Sequence, residues 1–251
     1  MRPPEVDVCF TPEEIRPAQV AVVIDVLRAT STIAQALAAG YPRVVCCSSV
    51  WTARALRAPG SVLAGEIDCL RVPDFELGNS PVDLAVAGCR GEELVLATTN
   101  GSPAIVAASH AVERVLIGCL LNLRAVLAAV PVGAPVMIVC SGTNGRPALE
   151  DVYVAGRLVA ALGGLPADAA RVAERTASGY GTAFEPLAAS EDAARLRATG
   201  QVRDIAWCAR ESVLDVVPEV VSVEDGSAVV GANSSHKYNP MRMSKEFACS
   251  F

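Results

Sequence analysis

The chain has 251 residues, of which 52% are hydrophobic, and a formal net charge of −6. That acidic balance argues against a nucleic acid or an anionic membrane as the main partner, and every apolar run stops short of the roughly 18 residues that a spanning helix needs. Nine cysteines without a C-x-x-C pair fit reduced thiols rather than a disulfide framework or a zinc site. The start, Met1 to Asp7, lacks the apolar core of a signal peptide, so a cytoplasmic protein is expected.

Val6 to Phe10 reads as an opening strand, and Thr11-Pro12-Glu13-Glu14 as a helix start with Pro at its first position. Val20 to Val26 is short, apolar and β-branched, the pattern of a strand buried on both faces. Asp25 and Arg28 arrive where this strand leaves its sheet. Thr30, Ser31 and Thr32 then offer N-cap hydroxyls to a helix through Ala39, stopped by Gly40 and Pro42. A carboxylate, a guanidinium and free helix N–H groups thus converge at the edge where open α/β sheets hold ligands. A plain capped turn with a surface Asp–Arg pair explains the same residues.

Strands at 44–47 and 61–64 follow, around a short helix capped by Ser48 or Ser49, and the second runs into Gly65-Glu66, another carboxylate at a strand end. Residues 67–81 form the longest irregular segment of this half; Val72, Phe75 and Leu77 give it reason to fold back as a substrate-covering loop. Asn79, just before Ser80-Pro81, is either a substrate contact or a helix cap. Two strand-turn-helix units then echo each other. Leu94 to Ala97 leads to Thr99-Asn100-Gly101, and Val136 to Val139 leads through Cys140 to Thr143-Asn144-Gly145-Arg146, each with Pro in the next helical turn. Glu150 and Asp151 open a long amphipathic helix, where the dipole favours them with or without a chemical role. Helical stretches at 167–175, 188–198 and 203–210 read as packing elements, and 213–221 and 228–230 as edge strands. The whole reads as one α/β domain over 1–230, with room for two subdomains, followed by a C-terminal extension over 231–251 that is either mobile or packed on a neighbouring subunit.

Two carboxylates, two arginines and exposed N–H groups at strand ends suit a divalent metal with a small phosphorylated anion. A haloacid-dehalogenase arrangement is excluded, because Leu27 stands where its second acid belongs. Cys140 to Arg146 has the C-x5-R spacing of a cysteine phosphatase, in which a thiolate attacks phosphorus while loop amides and Arg hold the oxygens. Metal-assisted attack by water is the third chemistry. His110 and His236, the only histidines, have no partner at ligand spacing, which leaves a His-based metal site or triad unsupported. A binding module that only senses such an anion would need the arginines and amides without the hydrolytic step.

Asp25-Val-Leu-Arg-Ala-Thr-Ser-Thr32, Gly65-Glu66, Phe75-Glu-Leu-Gly-Asn-Ser-Pro81, Thr98-Thr-Asn-Gly101, Cys140-Ser-Gly-Thr143 with Gly145, and Leu149-Glu-Asp151 occur in this order. The ordered set resembles the 2-phosphosulfolactate phosphatase family. The resemblance implies a Mg²⁺-dependent, cytoplasmic phosphatase converting (R)-2-phospho-3-sulfolactate to 3-sulfolactate and phosphate, a step of coenzyme M biosynthesis. It also implies a three-layer α/β/α fold with a largely parallel or mixed central sheet. On the matching positions, Asp25 and Glu66 are expected as metal ligands or base, and Asp151 as a further acid. Arg28, Thr30, Asn79, Asn100, Gly101 and Thr143 are expected near phosphate or substrate, with Arg146 less securely within the motif and Cys140 as the rival nucleophile. Another small phosphorylated hydroxy acid is the alternative substrate, and a homo-oligomer is compatible with the sequence.

Overall fold

The computed structural model describes residues 5–224 and 226–233. Eleven strands form one mixed sheet in the order β5-β4-β6-β3-β11-β10-β7-β2-β8-β1-β9, where β1 is Glu5–Cys9, β2 Ala18–Ile24, β3 Arg43–Cys47, β4 Ser61–Ile67, β5 Leu70–Arg71, β6 Glu93–Ala97, β7 Val112–Gly118, β8 Val136–Cys140, β9 Leu165–Pro166, β10 Pro218–Glu224 and β11 Ser227–Ala232. The helices that matter to the site are α1 (Ala29–Ala38), α3 (Pro81–Ala87), α4 (Gly101–Ala111), α6 (Leu149–Leu162), α9 (Glu191–Ala198) and α10 (Arg203–Cys208). Four others complete the layers: α2 (Val50–Ala55), α5 (Leu123–Ala129), α7 (Asp168–Ser178) and α8 (Phe184–Ala189).

β2 lies in the middle of the sheet, paired in parallel with β7 and β8. Its alternation is clean on both faces: Val20, Val22 and Ile24 pack into a core shared with α5, α6 and α7, whereas Ala21 and Val23 pack with α1 and α4. The expectation of a strand buried on both sides is met for this reason, and the three-layer α/β/α arrangement follows.

The expected edge strands at the C-terminal end are not at an edge. The β10–β11 hairpin is wedged between β3 and β7 and pairs antiparallel with both. It therefore joins two parallel blocks, β4-β6-β3 and β7-β2-β8-β1, that run in opposite senses along the sheet. Strands twist by roughly 20–25° per step, so the six steps from β4 to β2 turn the direction through most of a half-circle. That twist lets C-terminal ends of both blocks face one region. Two crossovers join the blocks, β2 to β3 through α1 and β6 to β7 through α4, and the starts of α1 and α4 touch. Such a switch point is where α/β sheets open a ligand crevice. Gly231 and Ala232 belong to β11, which moves the expected start of the C-terminal extension; residues from 234 on lie outside those described.

Candidate active site

Asp25 leaves β2 and folds its loop back on itself. The backbone N–H and Oγ1 of Thr30 both approach the Asp25 carbonyl, at 2.9 and 2.8 Å, while Ala29 N donates to Asp25 Oδ1 at 3.0 Å. The first turn of α1 is thus capped by the Asp25 carboxylate rather than by the hydroxyls of Thr30, Ser31 or Thr32. Thr30 is buried and spent on this loop, which corrects its expected place beside substrate; Ser31 likewise bonds the Val26 carbonyl. Gly101 packs directly against Asp25. A Cβ there would stand 2.5 Å from Asp25 Oδ2 and 2.4 Å from the Ala29 Cβ, so only glycine lets α4 start this close to the carboxylate.

A cavity of about 360 Å³ opens at this point, lined by Asp25, Leu27 and Arg28 after β2, Glu66 near the end of β4 with Asp68 and Cys69 after it, Asn79, Thr98 to Asn100 after β6, Asn144 after β8, and Asp192, Arg195, Ala198 and Thr199 from α9 and its end. Glu66 is fixed by three donors: Thr99 N at 2.8 Å and Thr99 Oγ1 at 3.0 Å on Oε1, and Cys69 N at 2.8 Å on Oε2. Part of the expected covering loop therefore does line the cavity, while Val72 and Phe75 anchor the rest in the core.

Arg28 is only 2% exposed. Its Nη1 donates to Asp204 Oδ2 at 2.7 Å and to Gln201 Oε1, and its Nη2 to the Cys69 carbonyl at 3.3 Å. Its charge reaches the cavity already paired. Asn79 is not a cap; Ser80 caps α3, accepting from Asp83 N at 3.2 Å and donating to Asp204 Oδ1 at 2.7 Å. Asn79 is instead buried in the cavity lining with an Oδ1 that has no hydrogen-bond partner, a costly arrangement that a ligand would relieve. Asn100 lines the same cavity and its Oδ1 lies 3.5 Å from Asn144 N.

The Cys140–Arg146 segment does not form a phosphate cradle. Cys140 is fully buried in the α6 core, where burial chiefly, and then the Asp151 carboxyl, push its thiol well above the ordinary value. The loop amides are spent inside the protein: Ser141 N on the Ile24 carbonyl, Gly142 N on Asp151, and Thr143 and Arg146 on each other. Arg146 is exposed and outside the cavity. A buried thiol, a loop whose Ser141, Gly142, Thr143 and Arg146 amides are spent inside the protein, and an Arg146 outside the cavity lining speak against the cysteine-nucleophile reading. Asp151 is also displaced from its expected role. It is buried below the cavity, accepting from Val26 N at 2.9 Å and Gly142 N at 3.1 Å, and so clips the ends of β2 and β8 together. Thr143 is turned to Asp192, to whose Oδ2 its hydroxyl donates.

The residues that the sequence did not reveal come from the α9–α10 region, expected only to pack. Asp192 and Arg195 face the cavity, 3.3 Å apart; Gln201 and Asp204 hold Arg28. Burial raises the Asp25 carboxyl to about 7, with Asp192 and Glu66 adding to the effect and the Ala29 amide opposing it. Burial and Asp192 raise Glu150 to about 8. Among the described residues no three His, Cys, Asp or Glu side chains are grouped so as to hold a metal ion alone, and no helix is long and apolar enough to cross a membrane.

A mixed α/β sheet with a carboxylate-lined crevice at its switch point and a helix start beside the buried acid defines an α/β protein whose ligand crevice lies at the ends of its strands. Residues 9–222 match the family model described as 2-phosphosulpholactate phosphatase, and the chain belongs to that family of phosphoric monoester hydrolases. Similar proteins include one from Thermus thermophilus, 37% identical over 82% of this chain and 90% of its own length, and one from Pseudothermotoga lettingae, 36% identical over 88% and 96%. A third, from Deinococcus radiodurans, is 36% identical over 82% and 89%. Each of the three bears the name probable 2-phosphosulfolactate phosphatase.

Proposed function

We propose that this protein is a Mg²⁺-dependent cytoplasmic phosphatase that releases phosphate from (R)-2-phospho-3-sulfolactate, the reaction type used on the way to coenzyme M. The observation that carries the reading is the meeting of Asp25, Glu66 and the start of α4 in one cavity of about 360 Å³. The names of the relatives support the substrate.

The donor set fits a hard divalent cation. Asp25 and Glu66 offer carboxylate oxygens, and Asn79 Oδ1 is an unpartnered amide oxygen in the same lining. Mg²⁺ keeps several waters and takes one or two carboxylates together with phosphate oxygens, so it does not need a cage of three protein acids. Asp25 and Glu66 are the residues we assign to hold it. When bound, the ion supplies neutralisation of the charge that develops on the phosphoryl oxygens.

The chain's own groups do the rest. The start of α4 offers the Gly101 N–H and the positive end of an eleven-residue helix to the phosphate, next to Asn100, while Ser102 N is spent on Thr98 Oγ1 and Pro103 has no N–H. Asp25, buried beside the start of α4, would orient the attacking water next to the cation that it and Glu66 hold. Arg28, locked by Asp204 and Gln201, fixes the shape of the wall through the Cys69 carbonyl.

The test is phosphate release from racemic 2-phospho-3-sulfolactate with Mg²⁺ and with EDTA. Release confined to the Mg²⁺ sample is expected, and Asp25→Asn is expected to remove turnover by at least about 100-fold while affecting product affinity much less. Undiminished release in EDTA, or full activity of Asp25→Asn, overturns the mechanism.

A further inference from the structure

We propose that Arg195 is the specificity-determining residue that receives the sulfonate of the substrate; this rests on the function proposed above. The substrate carries three acidic groups, and the reacting phosphate belongs beside Asp25 and the start of α4. A second strong anion then needs a cation elsewhere in the lining. Among the described lining residues the cations are Arg28 and Arg195. Arg28 is 2% exposed and its charge is matched by Asp204 at 2.7 Å, with Gln201 and the Cys69 carbonyl taking further donors. Arg146 is exposed and does not line the cavity. Arg195 also meets an aspartate, but it is more exposed and has fewer partners. Its side chain is 44% exposed, and among the described residues its side-chain hydrogen bond is a single 3.3 Å contact from Nη1 to Asp192 Oδ1. Asp192 is itself held by the Thr143 hydroxyl, so the fork of Arg195 keeps donors free on a wall that cannot follow it.

A sulfonate stays ionised at any physiological pH and presents three equivalent oxygens. The planar guanidinium can meet two of them with parallel N–H groups from two nitrogens, a fixed fork that an ammonium lacks. The structure therefore assigns α9 the role of reading the end of the substrate that does not react. This explains why a helix with the sequence grammar of a solvated surface carries Asp192 and Arg195 on the side facing the cavity.

The experiment uses the full-length protein and two readouts. Kinetics compare 2-phospho-3-sulfolactate with 2-phospholactate, which lacks the sulfonate, and calorimetry compares 3-sulfolactate with lactate. In Arg195→Met, KM for the sulfonated substrate should rise by roughly 10- to 100-fold, the scale of a charge-assisted hydrogen bond, with a smaller change in kcat. The loss for 2-phospholactate should be several-fold smaller, and Arg195→Lys should recover part of the discrimination. An unchanged preference for 3-sulfolactate over lactate in Arg195→Met, or equal losses for both substrates, overturns the inference. A wild-type protein that prefers 3-sulfolactate in calorimetry yet hydrolyses neither ester overturns the proposed function instead, and only loss of that preference in Arg195→Met then carries the assignment of Arg195 to the sulfonate.

Discussion

Asp204→Ala is the sharpest probe of how this cavity is built. Arg28 and Asp204 are each 2% exposed and 2.7 Å apart, so removal of Asp204 leaves a guanidinium in a place where water cannot replace the lost charge. Loss of one partner of a buried pair costs about 3–5 kcal/mol, a large share of the roughly 5–15 kcal/mol by which domains are stable. With a urea dependence of about 3 kcal/mol per molar for a chain of this size, the unfolding midpoint should fall by roughly 1–1.7 M. Ser80 Oγ, which caps α3, loses a 2.7 Å acceptor in the same variant, which places the effect at the upper end. A double variant, Arg28→Met with Asp204→Leu, removes both charges and should regain most of the loss, since apolar replacement of a whole buried pair is often nearly neutral. Urea unfolding followed by circular dichroism measures both. A cost below about 1 kcal/mol for Asp204→Ala, or a double variant no more stable than the single, would refute the claim that Arg28 is a buried, paired charge.

Gly101→Ala should cost about 1–3 kcal/mol through overpacking against Ala29, and, by pushing Asp25 aside, lower kcat by up to roughly 100-fold; thermal melting and kinetics together test this, and unchanged turnover would separate Gly101 from Asp25. Cys140→Ala should keep activity within a few-fold of the parent, because the thiol is buried and held protonated. Its loss by 100-fold in a folded variant would return the cysteine mechanism. Arg114 holds the Glu219 carboxyl below its ordinary value through hydrogen bonds of 2.9 Å to each oxygen. The stability from this pair is complete above the unfolded glutamate value of about 4.3 and disappears as pH falls through the lower folded value. Glu219→Gln should therefore be less stable than the parent in urea at pH 7, with the gap closing as the buffer is taken below pH 4.

Much of the framework was legible because it depends on neighbours in sequence. The apolar run of β2, the acid that follows it, the helix starts after Gly101 and Leu149, and the two-sided burial of the central strand are all set by local pattern and period. Even the fate of Cys140 was latent in that period: Val136, Ile138 and Cys140 share one face of β8, and that face lies in the α6 core. Caps were less legible, since Asp25 and Ser80 took roles that nearby hydroxyls and Asn79 could equally have filled.

What the tertiary structure decided is how the two blocks meet. A hairpin from the end of the chain joins strands of opposite sense, and the accumulated twist brings the ends of β4 and β6 to the end of β2. The same closure carries α9 and α10, more than 160 residues beyond Asp25, against the cavity, where Asp192 and Arg195 line it and Asp204 neutralises Arg28. In sequence, these residues have the helical grammar of any exposed face. Only long-range packing, which has no local period to announce it, makes one wall of the site from them.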